Sequence, residues 1–278
     1  MSRKLISRVR LVLNIALMAC VGLWLYRVAT EWSELRWDVP MIAVAFMTAL
    51  IVNGIKMVRL YILFCGKHVK TDAYVRKYMT TSLINMIVPF KAGEIWRGII
   101  FGKMAGSYIS SFVIVLFDRF IDTTALLALV VMVCLYTGMP MTMMYAALTV
   151  FVMVAVVLYL NFFSLYRYWN RVLILRANTK STLMALTALD TLKKVIWEVR
   201  QTSSGKFMML FMVSVVAWSA EILAAGFFGY ALTGRGVNAY LNTVLTGGIG
   251  AYTFLYFISS VCIYAGVYGV LQLAKRRK

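Results

Sequence analysis

One histidine, three prolines, four cysteines and ten acidic residues are all that 278 positions hold of these types, and each shortage removes a class of function. With His68 as the lone imidazole, neither a Ser-His-Asp triad nor a multi-histidine metal site can be assembled. The cysteines Cys20, Cys65, Cys134 and Cys262 sit in or at the ends of apolar runs without a C-x-x-C pair, which predicts free thiols rather than disulfides or a metal site. No G-x-x-x-x-G-K-[ST] run is present, so nucleotide hydrolysis at a phosphate loop is not expected. No cofactor or metal is predicted.

What fills the chain instead is apolar. Hydrophobic residues make up 62% of it and charged residues 14%, with a mean hydropathy of +0.82, more apolar surface than a soluble domain can hide. The runs are continuous rather than alternating and each is about 20 residues or longer, enough to cross a bilayer as helices. Spans are predicted at about 11–29, 40–64, 107–136, 141–163, 207–233 and 252–273. The first is read as a retained helix rather than a signal peptide, because it contains Trp24 and Tyr26 and lacks an A-x-A cleavage pattern.

The net charge of +19 follows the helix ends. Basic residues gather at Arg3, Lys4, Arg8 and Arg10, at Lys67, Lys70, Arg76 and Lys77, between 167 and 206, and at 275–278, whereas Glu31, Glu34 and Asp38 share one loop on the other side. That bias predicts both termini in the cytoplasm and basic faces that attract anionic headgroups rather than nucleic acid. Within the cytoplasmic segment 165–206, Leu183, Leu186, Leu189, Leu192, Ile196 and Val199 recur every three to four residues opposite Lys193, Lys194 and Arg200, the pattern of an amphipathic helix lying on the inner leaflet or against the bundle.

Two segments fit no span. In VPFKAGEIWRG (88–98) a proline and two glycines accompany Lys91, Glu94 and Arg97. Basic residues flank this region on both sides, so it is predicted to enter and leave from the cytoplasmic face. The second, 238–251, ends in Thr246-Gly-Gly-Ile-Gly250 and is predicted to dip in from the opposite face. The expected fold is therefore an all-α polytopic membrane protein, a single integral membrane domain over 1–278. It has about six transmembrane helices plus two re-entrant or broken helical elements, the arrangement an inverted repeat produces.

Charges inside the spans are costly unless paired. Asp118 and Asp122, four apart, share a helix face beside Arg119; they read equally as a polar site or as an ion-pair lock. Glu221 needs a partner, for which Lys91, Arg97 and Arg119 are candidates. Asn53, Lys56 and Arg59 form a stripe whose cations are expected to snorkel to the cytoplasmic end. Lys91 and Arg97 offer donors to an anionic group, with arginine suited to a bidentate phosphate grip, and Glu94 is placed to hold them when the ligand is absent.

The pattern Asn85-x-x-x-Pro89-x-Lys91-x-Gly93-Glu94-x-x-Arg97 resembles the N-x-x-x-P-x-R-x-G-E-x-x-R signature of the lysylphosphatidylglycerol synthase transmembrane, or flippase-like, family. Asp118-Arg119-x-x-Asp122-x-x-Ala125-Leu126 is similar to its E-R-x-x-D-x-x-A-L helix, Trp218-x-x-Glu221 to its W-x-x-E, and Gly247-Gly-Ile-Gly250 to a later G-G-x-G. Lys91 stands where arginine is usual, Asp118 where glutamate is usual, and Thr253 where a glutamate is usual. The resemblance implies movement of an anionic phospholipid or lipid-linked saccharide between leaflets. It also implies that Asn85, Pro89, Lys91, Gly93, Glu94, Arg97, Asp118, Arg119, Asp122, Trp218 and Glu221 form the substrate site. With no soluble synthase domain in these 278 residues, aminoacyl transfer is not expected of them. Two alternatives stay open: a non-transporting partner of a cell-envelope glycan or lipid synthesis complex, and a membrane enzyme using Asp118 and Asp122.

Overall fold

The computed structural model describes residues 22, 26, 38–65, 67, 69–87, 92–138, 143–175, 180–229, 234–246 and 251–276. Nearly all of the predicted first span, together with Cys20, His68, Pro89, Lys91 and Gly247 to Gly250, lies outside them. The described residues form helices and turns, with no strand among them.

In chain order the helices are α1 (Val39–Phe64), α2 (Thr71–Ile87), α3 (Ala92–Ala105), α4 (Tyr108–Thr137), α5 (Met143–Leu175), α6 (Lys180–Ser203), α7 (Phe207–Gly226), α8 (Gly234–Thr246) and α9 (Ala251–Arg276). Among the described residues α1, α4, α5, α7 and α9 are long and apolar enough to cross a membrane. Pro40, in the first turn of α1, fits where its missing N–H costs nothing. Ser107 caps α4, its Oγ accepting from the Ser110 N–H at 3.3 Å.

α2 ends at Ile87 and α3 begins at Ala92, on either side of the break predicted at Pro89. Side-chain contacts then run in reverse register: Asn85 with Glu94, Ser82 with Arg97, and Tyr74 with Phe101. α2 and α3 are thus an antiparallel hairpin. At 17 and 14 residues their lengths are about 25 Å and 21 Å, short of a hydrocarbon core of about 30 Å. Both outer ends of the hairpin meet the end of the bundle that carries Lys67, Lys70 and α6, here termed the basic end. α8, at 13 residues, is likewise too short to cross, and it packs on α4 and α7 from the other end.

Tight packing of the hairpin depends on glycine. A Cβ at Gly93 would lie 2.3 Å from Asn85 Cα, and one at Gly98 would lie 2.6 Å from the Phe112 ring of α4. The first obstacle is backbone and cannot rotate away. Gly93→Ala is therefore expected to force α2 and α3 apart and to cost about 1–3 kcal/mol, read as a lowered Tm in detergent.

Two ends of the predicted spans shift. The segment expected to leave the membrane near 163 continues as helix to Leu175, because loss of hydropathy past Asn161 does not end a helix whose residues keep helical propensity. The span expected to reach 233 stops at Gly226, and Gly229 follows in the left-handed region at φ 83°.

Two apolar clusters fill the interior. One, toward the basic end, joins Phe64, Tyr74, Phe101, Ile114 and Leu210; the other joins Ala125, Val130, Trp218, Leu241 and Tyr252. A layer of charge lies between them. Outside, Phe46, Leu50, Leu116, Met132, Phe151, Leu160, Val216 and Leu223 are exposed, as a lipid-facing surface requires. α6 seats Ile196 and Val199 inward while Leu183 and Leu192 of the same predicted stripe remain exposed.

Candidate functional site

Three residues one turn apart on α1 reach three different helices. Asn53 donates to Ser260 Oγ of α9 at 2.8 Å and accepts from the Tyr264 hydroxyl at 2.9 Å. Lys56 Nζ lies 3.0 Å from Glu221 Oε1 on α7. Arg59 meets Asp118 through Nε at 2.7 Å and Nη2 at 3.1 Å, and its Nη1 bonds Asp122 Oδ1 and Ser214 Oγ. The guanidinium is wholly inside, at 0% exposure. The expectation that Arg59 snorkels is overturned: α4 and α7 close over it, and two carboxylates supply what water would have. Its bidentate grip on Asp118 uses the fork geometry that lysine lacks.

Next to this clasp stands a second, looser group. Glu94 Oε1 accepts from Asn85 Nδ2 at 3.0 Å, and its Oε2 faces Arg97 Nη1 at 3.3 Å. Arg97 is 3% exposed, bonded to Ser82 Oγ at 3.0 Å and stacked over Tyr78 with 5.2 Å to the ring centroid. Arg119 bridges the two groups, with Nε 3.3 Å from Glu94 Oε1 and Nη2 3.4 Å from Asp118 Oδ2. Neither approach makes a hydrogen bond, and Arg119 Nε has no hydrogen-bond partner among the described residues. Its side chain is 34% exposed. Arg119 is held by charge alone, whereas Arg59 and Arg97 are held by directed bonds.

Toward the other end Glu221 accepts from the Tyr256 hydroxyl at 3.2 Å and the Tyr240 hydroxyl at 3.5 Å, and Lys56 lies over the Trp218 ring at 5.7 Å. Among the described residues the partner of Glu221 is thus Lys56, not Arg97 or Arg119, because residues 56 and 221 lie level on packed helices; Lys91 lies outside them. Among the described residues of this layer four cations, Lys56, Arg59, Arg97 and Arg119, face four carboxylates, Glu94, Asp118, Asp122 and Glu221. Charge balance is what makes this layer tolerable between two apolar clusters.

At the basic end Glu198 of α6 bonds Lys67 Nζ and accepts from Ser110 Oγ at 2.6 Å, tying α6 to the loop that leads into the hairpin. Burial alone would raise the Glu198 pKa, but the Lys67 and Ser110 hydrogen bonds and the lysine charge hold it below its usual 4.5. Because the folded value is the lower one, this tie stabilises the fold above the unfolded pKa and is lost as pH falls through the folded value. Glu198→Gln, or acidification below about pH 4.5 in the wild type, is therefore expected to speed limited proteolysis of 176–206.

A model of the lysylphosphatidylglycerol synthase TM region matches residues 11–274, nearly the whole chain. The chain belongs to that family. Comparison with curated proteins and with solved structures finds no match. Of the positions that carry the synthase TM-region resemblance, Asn85, Glu94, Arg97, Asp118, Arg119 and Asp122 come together in one network, with Gly93 packed beneath Asn85. Trp218 and Glu221 stand in the adjoining centre with Lys56. The motif reading left out Arg59, Ser214, Ser82 and the tyrosines 240 and 256. The signal for Arg59 was present: a basic stripe at three-residue spacing on one span and an acidic pair at four-residue spacing on another are complementary faces.

Proposed function

We propose that this multi-pass membrane protein is a flippase-like carrier, without covalent chemistry, that moves an anionic phospholipid or lipid-linked saccharide between leaflets. Arg119 carries the reading. Each carboxylate beside it has a second partner: Glu94 keeps Asn85 and Arg97, and Asp118 keeps the bidentate Arg59. Arg119 can therefore turn to a lipid phosphate without leaving a bare buried charge, which Arg59, the ion-pair partner of Asp122, cannot do. A phosphate would offer it the directed bonds that it lacks.

In this reading the basic end faces the cytoplasm of a bacterial or archaeal cell, both termini lie on that side, and headgroups gather on Lys67, Lys70 and the α6 cations before entering. The energy comes from a gradient or from supply and removal of lipid. The enzymatic alternative has less support, because Asp118 and Asp122 are both engaged by Arg59. Cell-envelope biogenesis is the process such a carrier serves.

The test is reconstitution in liposomes containing a fluorescent anionic phospholipid, with translocation read by quenching of the outer leaflet. Translocation above that of protein-free liposomes is expected. A folded protein that moves neither this lipid nor a lipid-linked saccharide contradicts the proposal.

A further inference from the structure

Trp218 is 9% exposed and its indole N–H has no hydrogen-bond partner among the described residues. A buried donor in that state points to an acceptor that comes and goes. Lys56 lies over the same ring and is 21% exposed along its side chain. Glu221, its carboxylate partner, also accepts from Tyr256 and Tyr240. The arrangement repeats the logic of Arg119: a cation whose counter-ion stays satisfied when the cation turns away. Lys56 stands one turn of α1, about 4.5 Å of rise, beyond Arg59 on the side away from the basic end. Tyr240, moreover, belongs to α8, the short helix that enters from the opposite end.

Resting on the carrier reading above, we infer that Lys56 and Trp218 form a second phosphate station, which receives the lipid's phosphodiester after Arg119 and before release to the opposite leaflet. Lys56 Nζ and the Trp218 N–H donate to the phosphate oxygens, while the two tyrosines hold Glu221. The chain then carries two seats in series along α1, the first built with the α2–α3 hairpin and the second with α8.

Trp218→Phe tests this cleanly, since it removes an N–H that bonds nothing among the described residues and keeps most of the ring. In the liposome assay with a fluorescent phosphatidylglycerol, Trp218→Phe is expected to slow translocation about tenfold or more at unchanged Tm. Headgroup photo-crosslinking near Arg119 should persist. The charge-neutral pair Lys56→Met with Glu221→Gln is expected to behave alike. A wild-type rate in folded Trp218→Phe overturns the second station and leaves the carrier reading intact, whereas a wild-type protein that moves no lipid overturns both. Inorganic phosphate is expected not to compete; inhibition of wild type but not of Trp218→Phe would make the station a free-phosphate site and overturn its place on the lipid path.

Discussion

Arg59→Ala is expected to abolish the folded protein. The substitution leaves Asp122, 9% exposed, without its ion-pair partner and Asp118, 2% exposed, with only the undirected Arg119, and breaking a buried ion group from one side costs about 3–5 kcal/mol. Because the remaining carboxylates sit one helical turn apart, they also repel each other. Size-exclusion profiles and Tm in detergent check this. The compensated triple variant, Arg59→Met with Asp118→Asn and Asp122→Asn, should recover most of the stability, since replacing a whole buried ion group is often neutral. If Arg59→Ala alone melts with the wild type, the clasp is not what joins α1, α4 and α7.

Arg119→Ala is expected to do the opposite, sparing the fold and removing transport. Its two ion pairs, at 3.3 and 3.4 Å, are undirected and its side chain is 34% exposed, so the loss of stability should stay within about 1 kcal/mol. A charge-assisted bond to a phosphate contributes about 1.5–3 kcal/mol, so translocation should fall about 10- to 100-fold. Arg119→Lys keeps the charge but not the fork and should fall between wild type and alanine. Equal stability losses in Arg59→Ala and Arg119→Ala would erase the distinction between a locking and an exchanging arginine.

That distinction could not be read along the chain. The apolar runs, the break before Ala92 and the amphipathic α6 were legible because hydropathy, Pro89 and three-to-four periodicity are local signals. The fate of Arg59 is tertiary. Near the end of a span, snorkelling and burial give the same sequence, and only the packing of α4 and α7 against α1 selects burial. The same holds for Glu221, whose partner Lys56 is expected from the sequence alone to snorkel to the end of its span. Gly98 and Gly102, at G-x-x-x-G spacing, did carry a local sign of close packing, and their Cβ positions would strike Phe112 and Tyr108 of α4.

The charge layer also has a physical reason for its place. A polar path through a bilayer needs groups able to meet a phosphate, yet the empty path must remain neutral. Four cations against four carboxylates meet the second need, and a second partner for each carboxylate beside Arg119 and Lys56 leaves those two cations free to meet the first.

Headgroup photo-crosslinking tests this most directly. Protein in liposomes with a phosphatidylglycerol bearing a diazirine on its headgroup is irradiated, digested and mapped by mass spectrometry. Adducts are predicted on the α3 and α4 peptides around Glu94 and Arg119, lost in Arg119→Ala and retained in Trp218→Phe. Adducts confined to the exposed lipid-facing helices, or unchanged by Arg119→Ala in a folded protein, would contradict Arg119 as the seat of the headgroup.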